Sequence, residues 1–211
     1  MKKTSSLFIG VAIACFSLFG SQKANAQKEA GQSVVTVGAG QSLVGSLFTI
    51  ASSNGNSNLS STPAILAMYD YGISDKFSLG GAFSYQSFSS SYTNSSYTYT
   101  NSNGQTVYES SWSDKITRMN YAVRALFHFG ENKDFDPYFG VRLGFTNWSA
   151  STTNTDPNYN NYGVGIKTLF APQVLFGVRY FFTPLIGVNA EAAIGSPYFI
   201  AGGVNFRFGG K

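Results

Sequence analysis

Few residues in this chain are equipped for catalysis or metal binding. His128 is the only histidine and Cys15 the only cysteine, too few soft ligands to assemble a typical zinc site. No Ser, Asp or Glu stands within two residues of His128, which sits between Phe127 and Phe129, so it reads as a non-catalytic histidine. The remaining reactive groups are isolated charges set in apolar runs: Asp70, Arg118, Arg124, Arg142, Arg179, Glu191 and Arg207. Their chemistry is ion pairing, which a charge removed from water requires. Antiparallel pairing across the turn at 130–136 sets Arg124 opposite Arg142, two like charges that need an acid or water between them. Pairing across 183–185 sets Arg179 opposite Asn189, one diagonal step from Glu191. The expected network joins Arg179 to Glu191 and places Asp70, opposite Gly80, as the acid near Arg124 and Arg142. Arg207 receives no partner. No metal and no cofactor is expected.

The elements that must position these charges alternate with a period of two, as strands do. The pattern is clearest from Phe170 to Phe208, where two short turns separate three runs. Phe170, Val174, Phe176, Val178, Tyr180 and Phe182 share one face of the first run, with Gln173, Gly177 and Arg179 on the other. Ile186, Val188, Ala190, Ala192 and Ile194 oppose Asn189 and Glu191. Ile200, Val204, Phe206 and Phe208 oppose Ala201, Gly203, Asn205 and Arg207. Upstream, strands are expected at 33–43, 64–73, 77–88, 116–129 and 137–148, with Val44–Ile50 able to extend the first. Segments 51–63, 89–115 and 149–167 read as Ser/Thr/Asn/Tyr-rich loops, the second leaving open a projecting hairpin around Asn103-Gly104. Every charge inside a strand falls on the face of Gly, Asn and Gln, as expected of a narrow interior where small residues make room for long ones.

Composition indicates what surrounds the other face. Residues 1–26 read as a signal peptide: Lys2 and Lys3, an apolar core from Leu7 to Gly20, and Ala24-Asn25-Ala26 before the expected cleavage. Lys2, Lys3 and Lys23 leave with it, so 14 basic residues become 11 against 10 acidic ones. That balance leaves no basic patch for nucleic acid. Charged residues make up 11% of the chain, against about 25% in soluble domains, while aromatics reach 16% and gather near strand ends. No stretch of the mature chain reaches the roughly 18–20 apolar residues of a spanning helix. Residues 27–211 are therefore expected to form one all-β domain, an eight-stranded antiparallel up-and-down transmembrane β-barrel. Alternating short turns and long loops place both termini in the periplasm and loops 51–63, 89–115 and 149–167 outside.

Signal peptide, eight alternating strands, short turns and the terminal Asn205-Phe206-Arg207-Phe208 run together resemble the small OmpA/OmpX-type outer-membrane β-barrels of Gram-negative cells. The resemblance spans Ser33 to Phe208. Barrels of this family usually end on an aromatic residue, whereas here Phe208 is followed by Gly209-Gly210-Lys211. No peptidoglycan-binding domain follows, so cell-wall tethering is not expected. The resemblance implies a multi-pass outer-membrane protein whose partner is outer-membrane lipid. Its implied role is structural or surface-interactive (adhesion or envelope integrity), with a side-chain-filled lumen; the alternative is a narrow porin-like channel. A lipid-modifying enzyme ranks behind both, because the known barrel enzymes pair a histidine with Ser, Asp or Glu at the external rim. Tyr92, Tyr97, Tyr99, Tyr108 and Trp112, interleaved with Ser, Thr and Asn, are the candidate contact residues for an external surface or host ligand.

Overall fold

The strand pattern closes on itself. The computed structural model describes residues 30–51, 58–94, 98–107, 110–130, 134–156 and 160–209; the leader expected at 1–26 lies outside them. In chain order the elements are β1 (Gln32–Gln41), α1 (Leu43–Ala51), β2 (Asn58–Ser61), β3 (Ala64–Ser74), β4 (Phe77–Asn94), β5 (Tyr99–Thr100), β6 (Thr106–Val107), β7 (Ser110–His128), β8 (Phe135–Asn154), β9 (Tyr162–Phe170), β10 (Gln173–Phe181), β11 (Ile186–Gly195) and β12 (Ile200–Gly209). All pairings are antiparallel. β1 pairs with β12 and β3, and β10 pairs with both β8 and β11, so the sheet has no edge at this level. β9 and β10 are the upper and lower halves of one wall strand, interrupted at Ala171-Pro172, where proline supplies no ladder N–H. Counted that way, eight strands form a closed barrel.

The two faces divide as the alternation requires. Phe77, Leu79, Phe83, Tyr121, Val123, Phe139, Val141, Leu143, Val174, Phe176, Tyr180, Val188 and Val204 are all exposed on the outer surface. An apolar belt of this kind is stable only against lipid. Aromatic pairs mark two levels of it: Phe127–Phe139 at 5.3 Å near the short turns, and Phe145–Phe170 at 5.7 Å toward the other end. Val178 keeps the outward parity but is half-buried between its neighbours.

Three expected loops prove partly extended. β4, β7 and β8 run 18, 19 and 20 residues, far beyond the roughly 9–11 that cross a bilayer. Their surplus, joined by β2 and β9, forms a polar ribbon standing above the barrel. Cross-strand hydroxyl bonds replace greasy packing there, including Ser60–Ser89 at 2.7 Å and Thr152 donating to Asp114 at 2.6 Å. At the tip, β5 pairs with β6, and the Asn101 carboxamide accepts from the backbone N–H groups of Asn103 and Gln105, closing a turn with Gly104 at φ 77°. Of the two readings left open there, the hairpin holds. Leu43–Ala51 does not extend β1: it is a helix, capped by Ser42 Oγ accepting from Gly45 N–H at 2.9 Å.

Candidate functional site in the barrel lumen

The inward residues meet in one connected chain of polar groups. Glu191 Oε1, on β11, accepts from Arg124 Nη2 of β7 at 2.7 Å and from the Tyr138 hydroxyl of β8 at 2.7 Å. Its other oxygen accepts from the Tyr198 hydroxyl. Arg124 Nε lies 3.0 Å from Asp70 Oδ1 on β3, and Asp70 Oδ2 accepts from Arg179 Nη2 of β10. Arg179 lies over the Tyr138 ring, 4.7 Å from its centroid, and 4.0 Å from Asp136 Oδ2. Asp136 in turn lies 2.9 Å from His128 Nδ1, and His128 Nε2 lies 2.8 Å from Ser78 Oγ. Arg124, Asp70, Arg179 and Glu191 are each at most 2% exposed. At such burial an unpaired charge would cost several kcal/mol, about the figure for an ion stripped of water.

Glycines supply the space this chain needs. A Cβ on Gly177 would stand 2.5 Å from Tyr138 Cζ, so only a missing side chain lets that ring reach Glu191. Gly177→Leu should push Tyr138 off Glu191 and destabilise the barrel by about 1–3 kcal/mol. Urea titration of the protein in lipid vesicles measures this, and an unchanged midpoint would show that the ring has another place to go.

The seven charges expected to face inward all face the lumen and are buried. The register sets Arg124 opposite Arg142 and Arg179 opposite Asn189, as the turn positions require. The cross-lumen partners differ from those expected. Arg179 takes Asp70 instead of Glu191, and Glu191 takes Arg124, because contacts across the barrel do not follow hairpin neighbours. Arg142 binds no carboxylate among the described residues: its Nη2 donates to Asn120 Oδ1 at 2.6 Å and it lies 5.9 Å from the Tyr198 ring centroid. Arg118 donates to Gln86 Oε1 at 2.5 Å and to Pro197 O at 2.6 Å. Arg207 lies at the short-turn end, donating to Pro184 O at 3.0 Å and covering the Phe181 ring.

Sequence reasoning missed Asp136, Tyr138 and Tyr198 as members of the chain. It also left His128 without partners, since Ser78 and Asp136 reach it only through strand pairing. Asp136 shares the parity of Tyr138, Gly140 and Arg142, so starting β8 at Phe135 instead of Pro137 would have found it. Ser78, His128 and Asp136 have the connectivity of a catalytic triad. They are nonetheless 4%, 5% and 5% exposed, and the cavity they line holds about 30 Å³, room for about one water molecule. Among the external candidates, Tyr92 is exposed and lies tilted against Trp112 with ring centroids 6.1 Å apart, while the Tyr99 hydroxyl donates to Thr155 O. Tyr97 and Tyr108 lie outside the described residues.

A closed barrel with a lipid-facing belt and an ion-paired interior defines a transmembrane β-barrel. Residues 11–208 match the outer membrane protein beta-barrel domain family, and the chain belongs to that family. Among solved structures it is similar to the outer membrane protein OprG from Pseudomonas aeruginosa, at 8% identity over 88% of this chain and 99% of that one, with a TM-score of 0.51. It is also similar to Ail, the attachment invasion locus protein of Yersinia pestis, solved in complex with the heparin analogue sucrose octasulfate (13% identity, 84% and 99% covered, TM-score 0.47). A third is the N-terminal β-barrel domain of Pseudomonas aeruginosa OprF (15% identity, 86% and 100% covered, TM-score 0.46). No curated protein sequence matches the chain.

Proposed function

We propose that this protein is a non-conducting, non-catalytic barrel that contributes to envelope structure and presents its polar ribbon for contact with an external surface. The observation carrying this reading is the buried chain from Tyr198 to Ser78, which occupies the lumen with paired side chains. Eight strands enclose an interior that side chains can just fill, so a solute path would need that network to move. In this reading residues 1–26 are removed on export and both termini lie in the periplasm. The ribbon, containing Tyr92, Tyr99 and Trp112 among Ser and Thr, stands on the outside.

The alternative of an enzyme draws on the Ser78–His128–Asp136 arrangement. A nucleophile needs room for its substrate, and Ser78 has room for about one water molecule. A fluorophosphonate probe should leave Ser78 unlabelled in the folded barrel, and His128→Ala should change no lipase, acyltransferase or protease activity. Stoichiometric labelling at Ser78 would establish catalysis instead. The surface role is tested on cells carrying the native gene, no gene, or a gene with 99–107 replaced by a short Gly/Ser link. Adhesion or serum resistance should fall in the second and third, with the shortened barrel still in the outer membrane. Retention of both properties by the shortened protein would remove the ribbon from the account.

A further inference from the structure

The lumen is not electrically even along its length. Asp70, Glu191 and Asp136 all belong to the chain that engages Arg124, Arg179 and His128. Toward the external end, Arg118 and Arg142 are 4% and 0% exposed and touch no carboxylate among the described residues. Arg118 and Arg142 come from the paired strands β7 and β8, and both are turned into the lumen. Both oxygens of Glu191 are occupied by Arg124, Tyr138 and Tyr198. Nε and Nη1 of Arg142 meet no carboxylate among the described residues, and the Tyr198 side chain lies beside the guanidinium. Two buried cations without an acid are costly unless an anion joins them.

Arg118 lines a cavity of about 430 Å³, within the roughly 300–1,000 Å³ of small-ligand sites. Its other walls are mainly apolar: Leu43 and Val44 of α1, Trp148 of β8, and Leu169 and Phe170 at the end of β9. The cavity lies where the barrel wall is breached. β10 and β11 pair only up to Gln173 and Gly195. Above the Ala171-Pro172 break, β9 pairs with β8 alone. Leu169, Phe170 and Ile194 flank the gap and are 51%, 60% and 85% exposed, an apolar lip at the level of the outer aromatic pair Phe145–Phe170.

We propose that this cavity binds an amphiphile with a single anionic head group and an acyl chain. The head sits on Arg118, with the charge of Arg142 behind it, and the chain leaves past Leu169 and Phe170 into the surrounding lipid. A guanidinium binds carboxylate and phosphate through the same charge-assisted geometry, so a free fatty acid and a resident anionic lipid are both suitable sources. A neutral chain would leave the two cations uncompensated, and an inorganic anion would leave the apolar walls unused.

Trp148 lines the cavity and is one of two tryptophans in the chain, so Trp112→Phe makes it the sole reporter. In phosphatidylcholine nanodiscs, ω-bromoundecanoate should quench Trp148 saturably. Its methyl ester, and the acid acting on Arg118→Gln, should need about tenfold more ligand, the loss of about one charge-assisted bond. Val44→Phe, which fills the cavity and leaves Arg118 in place, should abolish saturation, and it decides the matter should Arg118→Gln fail to fold. Saturation by the added acid assigns a free amphiphile. Quenching by brominated phosphatidylglycerol built into the disc, lost in Val44→Phe, assigns a resident lipid; either result supports the site. Equal quenching by acid and ester, or quenching unaffected by Val44→Phe, would overturn it.

Discussion

Asp70→Asn should lower the unfolding free energy of the barrel in vesicles by about 3–5 kcal/mol, the cost of stranding a buried charge. Asp70 is shared: one oxygen serves Arg124 and the other Arg179. Asparagine keeps the size and loses the charge, so both guanidiniums would face each other across a neutral group. Removing Arg179 as well should recover part of the loss, because Arg124 still has Glu191 at 2.7 Å. The double variant Asp70→Asn/Arg179→Gln is therefore expected to be more stable than Asp70→Asn alone. Urea midpoints of the three proteins measure this. A single-variant loss below about 1 kcal/mol, typical of exposed pairs, would mean that water reaches Asp70 and the lumen is not sealed there.

The second large effect lies on the opposite face. Val141 sits between Phe139 and Leu143 on the outward parity of β8, 44% exposed. Arginine at mid-membrane on such a face costs roughly 2–4 kcal/mol, so Val141→Arg should impair folding into bilayers by about that amount. Asn103→Arg, at the exposed tip of the ribbon, should stay within about 0.5 kcal/mol of the native protein. Equal tolerance of both would reverse the assignment of inside and outside. The contrast is informative because Arg142, one residue away, is fully buried and belongs to the interior.

Much of this architecture can be read in the residues because a membrane barrel imposes one rule on every strand. Charge on even positions and Phe, Val or Leu on odd ones recurs from Ser78 to Arg142, then with opposite parity from Gln173 onward. Short turns fix hairpin register, so Arg124 opposite Arg142 follows from the 130–136 turn. The rule lapses outside the lipid. Above Phe88, β4 has Ser, Thr and Tyr on both faces, and alternation of polar residues does not distinguish a strand from a loop. Phe88 itself is 1% exposed and turns inward near Trp148, with ring centroids 6.0 Å apart. Helix α1 was illegible for a related reason: Leu43–Ala51 is apolar, short and capped only by Ser42.

The ionic partners were less legible than the positions of the charges. Pairing arithmetic reaches only neighbours along the wall, whereas Asp70 and Arg179 come from β3 and β10 and meet across the lumen. Which acid takes which arginine depends on barrel diameter, stagger and the glycines that let side chains through. Ser78, His128 and Asp136 show the same limit. Three separate strands contribute them, and the residues adjacent to His128 in sequence are lipid-facing phenylalanines.

Closure of the lumen is the central claim, and single-channel recording on the native protein in planar bilayers tests it most directly. With Asp70, Arg124, Arg179 and Glu191 locked together, current at moderate voltage should remain at the level of bare lipid, while Asp70→Asn should introduce brief, small openings. Steady, large openings of the native protein would contradict the account.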